Sequence, residues 1–362
     1  MRYLLFLIFS STVTFSQISF EKVNIKTRKF IQKYKEKENI PGISVSISYN
    51  DTLVFSEGFG YADLKNKIPV TPFETQFNIA SITKTITISS LAKLVEMDSV
   101  DWDKSAYFYL KKLPKKTFDF SVRELAGHLA GFQRNLDEDG YYQEATIKRT
   151  NFFELFKKTK QQFKPSDKFL YSNLGFKILG LIIEAKSSKE LTEFQREVVL
   201  NKLKMVNTLK DSIGHTLPTI SKLYSLDKND FNEVKNISSE FRYAETCYLS
   251  TSEDIIKLGN GFLFPDRILK KETLITLLTS QKTNDGKKTD YGLGFHCQRD
   301  KCNNFYYGHD GNWVGTRSFM HIYPKSKLVV VVLANRSLNA KLEYEDFSDL
   351  AKNYIDYISN LK

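Results

Sequence analysis

The sequence predicts an α/β protein: an antiparallel sheet flanked by helices and assembled from both ends of the chain, with a mainly helical lobe inserted between. Three observations lead there. An alternating stretch and a buried helical stripe come early, the middle reads as helical patches joined by loops, and a second alternating run with a closing helix fills the end. The 362 residues are 41% hydrophobic, with 28 Phe and 19 Tyr against 8 Pro and 17 Gly, so the chain can bury a large core without covalent staples. No internal repeat or low-complexity tract interrupts it.

At the start, Met1 and Arg2 precede an apolar run from Tyr3 to Phe9 and a small-residue stretch ending Val13-Thr14-Phe15-Ser16. That is the form of a secretory signal peptide over residues 1–16, leaving residues 17–362 as an exported, periplasmic or secreted chain. A permanent N-terminal anchor is the rival reading, since Thr and Ser stand where Ala is usual, and no Cys follows for lipid attachment. No later stretch reaches ~18 consecutive apolar residues, so the mature chain is expected to be soluble.

Phe20 to Lys37 has helical periodicity and many charges, which suits a surface helix. Gly42-Ile43-Ser44-Val45-Ser46-Ile47-Ser48 alternates, Asn50-Asp51 turns the chain, and Leu53 to Phe55 returns it as a β-hairpin. From Ser81 to Val95 the period switches to 3.6 residues, with Ile82, Ile86, Ile88, Leu91, Leu94 and Val95, so a buried helix begins at or beside Ser81. Further helices are expected at Phe152 to Lys160, Leu174 to Ala185 and Ser252 to Phe262. Then Gly292 to Cys297, Phe305 to His309, Thr316 to Tyr323 and Leu328 to Leu333 read as four strands, closed by a helix from Tyr344 to Leu361. One lobe would take residues of about 20–98 and 270–362, the helical lobe about 99–269, and the cleft between them is the natural place for a site.

The formal net charge of +11 is carried mostly by scattered Lys, first of all a solvated surface, with weak attraction to anionic cell-surface polymers as the functional alternative. Lys111, Lys112, Lys115 and Lys116 around Pro114 mark a loop, and no nucleic-acid-binding motif is present. Cys297 and Cys302 flank Gln298 to Lys301, which reads as a hairpin turn, so they either pair in an oxidising compartment or stand as ordinary strand-end residues. Cys247 is left over either way.

Three short motifs carry chemistry. Ser81-Ile82-Thr83-Lys84 puts a hydroxyl and an amine three apart at a helix start, on one face, where a desolvated lysine can take the serine proton. Ser225-Leu226-Asp227-Lys228 has the same pattern, but in a polar stretch with no following apolar helix. Tyr171-Ser172-Asn173 is the only Y-x-N: a phenol beside a cation can shuttle protons and an amide can hold lysine and substrate, or the pair is a core tyrosine and a helix cap. His309-Asp310-Gly311 is the only H-x-G, ending a strand where a glycine would let a substrate backbone approach and the next N–H could face an oxyanion; a plain turn is the alternative.

In that order the three motifs resemble those of the serine β-lactamase and penicillin-binding protein superfamily, closest to class C β-lactamases, D-alanyl-D-alanine carboxypeptidases, related esterases and LACTB-like hydrolases. The likeness extends to Phe77 to Lys84, Glu124 to Gly131, Pro165 to Asn173, Leu249-Ser250-Thr251 with Asp254, Tyr291 to Gly294 and Gly308 to Gly315. It implies a β-lactamase/transpeptidase-like fold and a cofactor-free, metal-free acyl-enzyme mechanism on a small-molecule or peptide substrate. By position, Ser81 would be the nucleophile and Lys84 its proton acceptor. Tyr171 would be the base, Asn173 would position Lys84 and substrate, and His309 would line the far wall. The backbone N–H groups of Ser81 and Asn312, beside Gly311, would form the oxyanion hole, and Arg317 would hold a substrate carboxylate or be a plain surface arginine. Two departures weigh against a dedicated β-lactamase: Glu245-Thr246-Cys247 replaces a glycine-rich stretch, and His309-Asp310 replaces Lys-Thr.

Overall fold

The computed structural model describes residues 19–135, 151–212, 217–228, 230–234, 243–337 and 340–361, with the side chains of 340–346 left aside. The expected signal peptide, residues 1–16, lies outside the described residues.

The N-terminal part runs α1 (Glu21–Lys37), β1 (Gly42–Tyr49), β2 (Thr52–Asp63), β3 (Ile68–Pro69) and β4 (Phe77–Asn78), then a 3-10 turn (Ala80–Ile82) leading into α2 (Thr83–Glu96). The middle holds α3 (Ala106–Tyr109), α4 (Val122–Ala126), α5 (Phe152–Lys158), α6 (Asn173–Ser187), α7 (Leu191–Gln195), β5 (Leu209–Lys210), β6 (Leu223–Asp227), β7 (Asp230–Val234) and β8 (Tyr248–Ser250). α8 (Ser252–Leu263), α9 (Lys271–Leu277), β9 (His296–Arg299), β10 (Phe305–Trp313), β11 (Thr316–Tyr323), β12 (Leu328–Ala334) and α10 (Ala340–Ser359) follow.

Seven strands form one antiparallel sheet in the order β3-β2-β1-β12-β11-β10-β9, so both chain ends meet along the β1–β12 pair, in register from Ile43–Ala334 to Tyr49–Leu328. The alternation in β1 explains the layering. Ile43, Val45 and Ile47 face a core shared with Val23 and Ile31 of α1 and Leu350 and Tyr354 of α10, while Ser44, Ser46 and Ser48 face α8. Both Ser44 and Ser46 sit 2.7 Å from Ser252 Oγ, and small serines let the helix lie close; Gly259 continues the fit, since a Cβ there would be 2.5 Å from Val329 Cγ1. The Val329–Leu333 run of β12 is buried on both faces, which is why it reads as continuous rather than alternating.

Three expectations shift. The strand expected at Gly292 to Cys297 begins at His296, because Gly294 takes φ +79° and the Gly292 N–H bonds the Phe295 carbonyl in a turn. The middle segment also carries the β6–β7 hairpin and the small sheet β4-β8-β5. Cys297 pairs across the ladder with Tyr307, Cys302 sits in the β9–β10 turn, and all three cysteines are free. Among the described residues, no helix is long and apolar enough to cross a membrane.

Candidate active site

The strand-to-helix junction at Ser81 is tied from both sides. β4 pairs with β8, Phe77 opposite Ser250, and the Ile79 N–H reaches the Tyr248 carbonyl. From β11, Thr316 Oγ1 donates to the Asn78 carbonyl and Ser318 Oγ to the Ile79 carbonyl, both at 2.8 Å. Asn78 Oδ1 accepts the Ala80 N–H at 2.9 Å. Held this way, Ala80 takes φ +44°, a left-handed conformation that strains a residue with a Cβ. Ser81 follows in the middle of the 3-10 turn, 9% exposed.

Lys84 lies in the first turn of α2, fully buried, its Nζ 3.0 Å from Ser81 Oγ and 3.4 Å from the Glu245 carbonyl. Burial pushes its amine well below the ordinary lysine value; Glu245 opposes that fall, and Arg134 and Lys177 add to it. The same Nζ stands 5.1 Å from the Tyr171 ring centroid and 5.5 Å from that of Phe176. The rival Ser225 is on strand β6, with Lys228 in the turn beyond it at φ +55°, so the two do not share a helical face.

Tyr171 precedes α6, and it is Ser172 that caps the helix, its Oγ accepting the Gly175 N–H, rather than Asn173. Asn173 donates through Nδ2 to Asn135 Oδ1 at 2.9 Å, and no hydrogen bond joins its side chain to Lys84. Its Oδ1 is buried without a hydrogen-bond partner among the described residues.

Across from Tyr171, His309 on β10 has its ring centroid 6.2 Å from that of Tyr171. Its Nδ1 is 2.7 Å from the Asp310 carbonyl, which can only accept, so Nδ1 carries the proton and Nε2 accepts from the Tyr291 hydroxyl at 2.9 Å. Burial, with His296 and Lys84 adding to it, pushes His309 well below the ordinary histidine range, so the ring is neutral.

Gly311 has a different reason from the one expected. The space a Cβ would fill is already held by Ser318 Oγ, the Ile79 carbonyl and, at 2.9 Å, Ala80 Cβ, so the close approach is to the serine turn and not to a substrate. Asn312 follows, exposed. Arg317 is corrected on both counts: it is 4% exposed, bonds the Gly311 carbonyl at 3.1 Å and stacks 4.6 Å from the Phe319 ring. It alternates with Thr316 and Ser318, which face the serine turn, and so sits with Phe319 on the sheet face turned away from the site.

The structure thus gathers Ser81, Lys84, Tyr171, His309 and Gly311 and leaves Arg317 out. It adds two residues that sequence reasoning passed over. His128, φ +59°, accepts the Ser172 N–H at Nδ1 and packs its ring 4.2 Å from Tyr171. Tyr291 bonds His309. Both lie inside stretches quoted for the resemblance, Glu124 to Gly131 and Tyr291 to Gly294, and that was their only signal.

The sequence profile of the β-lactamase family matches residues 27–352. The chain belongs to that β-lactamase family. It is similar to the serine β-lactamase-like protein LACTB, mitochondrial, of Homo sapiens, 23% identical over 83% of this chain and 72% of that protein. Protein flp of Staphylococcus aureus (strain N315) is 23% identical over 85% of this chain and 62% of its own length. In fold it resembles the D-amino acid amidase of Ochrobactrum anthropi complexed with D-phenylalanine, with TM-score 0.77, 21% identity, 94% of this chain and 100% of that one. The octameric penicillin-binding protein homologue of Pyrococcus abyssi gives TM-score 0.76 and 24% identity, over 92% of this chain and 78% of the other. β-Lactamase family members are generally serine hydrolases.

Proposed function

We propose that this chain is an exported serine hydrolase that opens amide or ester bonds through an acyl-enzyme on Ser81. The observation that carries the reading is Lys84 Nζ 3.0 Å from Ser81 Oγ, in a buried setting that favours the neutral amine. A neutral amine can accept the hydroxyl proton as the oxygen attacks an acyl carbon. Tyr171, within 5.1 Å of that amine at its ring centroid, relays the proton from Lys84 to the leaving group, and in deacylation takes one from the water as it passes its own to the again neutral Lys84, which returns it to Ser81 as the acyl group leaves. The backbone N–H groups of Ser81 and Asn312 take the oxyanion, and the tied strand-to-helix junction keeps Ser81 from drifting. Asn173 bonds Asn135 rather than Lys84, and His309 lines the far wall.

Small acyl compounds, D-amino-acid peptides or wall-derived peptides fit better than a dedicated β-lactam substrate. A neutral His309 supplies no fixed cation in the third motif, and Arg317 is turned away. The fold shared with a D-amino acid amidase points the same way. A panel of p-nitrophenyl esters, D-amino-acid amides and peptides and a chromogenic cephalosporin, run against Ser81→Ala, tests the proposal. Turnover of esters or D-amino-acid substrates that vanishes in Ser81→Ala is expected. Turnover equal in both proteins refutes the role of Ser81, cephalosporin as the preferred substrate refutes the substrate class, and stable acylation without turnover makes the chain a penicillin-binding or wall-fragment sensor.

A further inference from the structure

Behind Lys84 lies a buried ion pair that the acyl-transfer scheme does not use. Lys177, one helical turn beyond Asn173 on α6, bonds Glu245 directly, and both residues are 1% exposed. Two ions removed from water are costly to keep, and replacing such a pair with apolar side chains is often neutral or stabilising, so stability alone is a weak reason for this one. Its position is the better reason. The Glu245 carbonyl lies 3.4 Å from Lys84 Nζ, and the preceding carbonyl, of Ala244, accepts from Thr87 Oγ1 at 2.7 Å, one turn along α2. Tyr243 OH donates to the Lys177 carbonyl at 3.2 Å, and a Cβ on Gly180 would stand 2.9 Å from Ala244 Cβ, so α6 and the Tyr243 to Glu245 segment fit closely.

We propose that Lys177 and Glu245 are positioning residues for Lys84: their ion pair anchors the carbonyl that holds the amine against Ser81 and sets how readily Lys84 gives up its proton. The inference deepens the acyl-transfer reading and rests on it for its meaning in catalysis. Among the described groups acting on Lys84, Glu245 is the anion, while Lys177 from α6 and Arg134 from the segment before it are cations. His128, His296 and His309 also face it electrostatically, and the two most buried, His128 and His309, are pushed well below the ordinary histidine range by desolvation. The Tyr171 ring closes the remaining side. In that setting Glu245 favours the ammonium form and Lys177 disfavours it, so removing them one at a time has opposite consequences.

The test is a titration of lysine 13Cε signals by NMR on the full chain, with Lys84 assigned through Lys84→Arg. Lys177→Met is expected to raise the Lys84 midpoint and Glu245→Gln to lower it, each by about one pH unit. Each single variant breaks the buried ion pair and keeps one of its charges, so either can fail to fold. The double variant Lys177→Met/Glu245→Gln removes both charges of this pair together, is expected to fold, and should titrate below wild type because Glu245 acts on Lys84 more strongly than Lys177 does. Unchanged midpoints in Lys177→Met and in the double variant overturn the proposal. The pH dependence of fluorophosphonate labelling of Ser81 should follow the same shifts. Absence of any labelling in wild type would overturn the acyl-transfer reading, while the titration would still decide this one.

Discussion

Replacing Gly311 with alanine drives a methyl group into the wall that holds the nucleophile. The new Cβ would stand 2.9 Å from Ala80 Cβ and closer still to Ser318 Oγ and the Ile79 carbonyl. Serine can rotate away, but it would give up its 2.8 Å bond to that same carbonyl, and the carbonyl itself is backbone two residues before Ser81. Either β10 or the serine turn must therefore move. Overpacking of this kind costs about 1–3 kcal/mol of stability. The larger effect is on rate, because displacing a reacting group by a fraction of an ångström to one ångström costs on the order of 10²-fold, or about 2.7 kcal/mol of barrier. Melting temperature and kcat/KM on a p-nitrophenyl ester, measured for Gly311→Ala beside Ser318→Ala, give both quantities. Ser318→Ala should lose only a small part of the rate, since it removes one tie and adds no bulk. A Gly311→Ala protein with wild-type kcat/KM and melting temperature would show that this contact does not set the position of Ser81.

Arg317→Met should lower stability, through the lost bond to Gly311 and the lost stacking on Phe319, while leaving KM for carboxylate-bearing substrates unchanged; a large rise in KM would put the guanidinium back in the cleft. Ser225→Ala should leave labelling and turnover at wild-type levels, and a loss would revive the S-x-x-K at Ser225. Stability should fall as pH drops below about 6.5, because unfolded His128 and His309 then bind protons that the folded protein, with both pushed well below that value by burial, does not. Two such groups give a slope of up to about 3 kcal/mol per pH unit. Denaturant unfolding at pH 7, 6 and 5 checks it, and a flat profile would contradict neutral burial of these rings.

Much of this was legible in the sequence for identifiable reasons. The stripe Ile82, Ile86, Ile88, Leu91 marks a buried helix without knowledge of any partner, so the start of α2 beside Ser81 could be read directly. The alternation in β1 showed two faces, and β11 runs from Thr316 to Tyr323 as expected. What failed depends on which face meets what. Arg317 follows a motif strand closely in sequence, yet period-2 alternation sends it behind the sheet, and only the contacts of Thr316 and Ser318 reveal the side that faces Ser81. His128 supports Tyr171 across 44 residues through Ser172, and Lys177 meets Glu245 across 68; such partnerships leave no local pattern. Glu245 was visible as a departure from the expected glycine-rich stretch, but its counter-ion was not. The β6–β7 hairpin was missed because its strands are short and mostly solvent-facing, so their pattern carries no strong apolar period.

Intact-protein mass spectrometry after incubation with a fluorophosphonate or a fluorescent penicillin, followed by peptide mapping, addresses the nucleophile most directly. One adduct per chain, located on Ser81 and absent from Ser81→Ala and strongly slowed in Lys84→Met, is the expected result. An adduct on another residue, or labelling of Ser81 at an unchanged rate without Lys84, would contradict the assignment of this pair as nucleophile and proton acceptor.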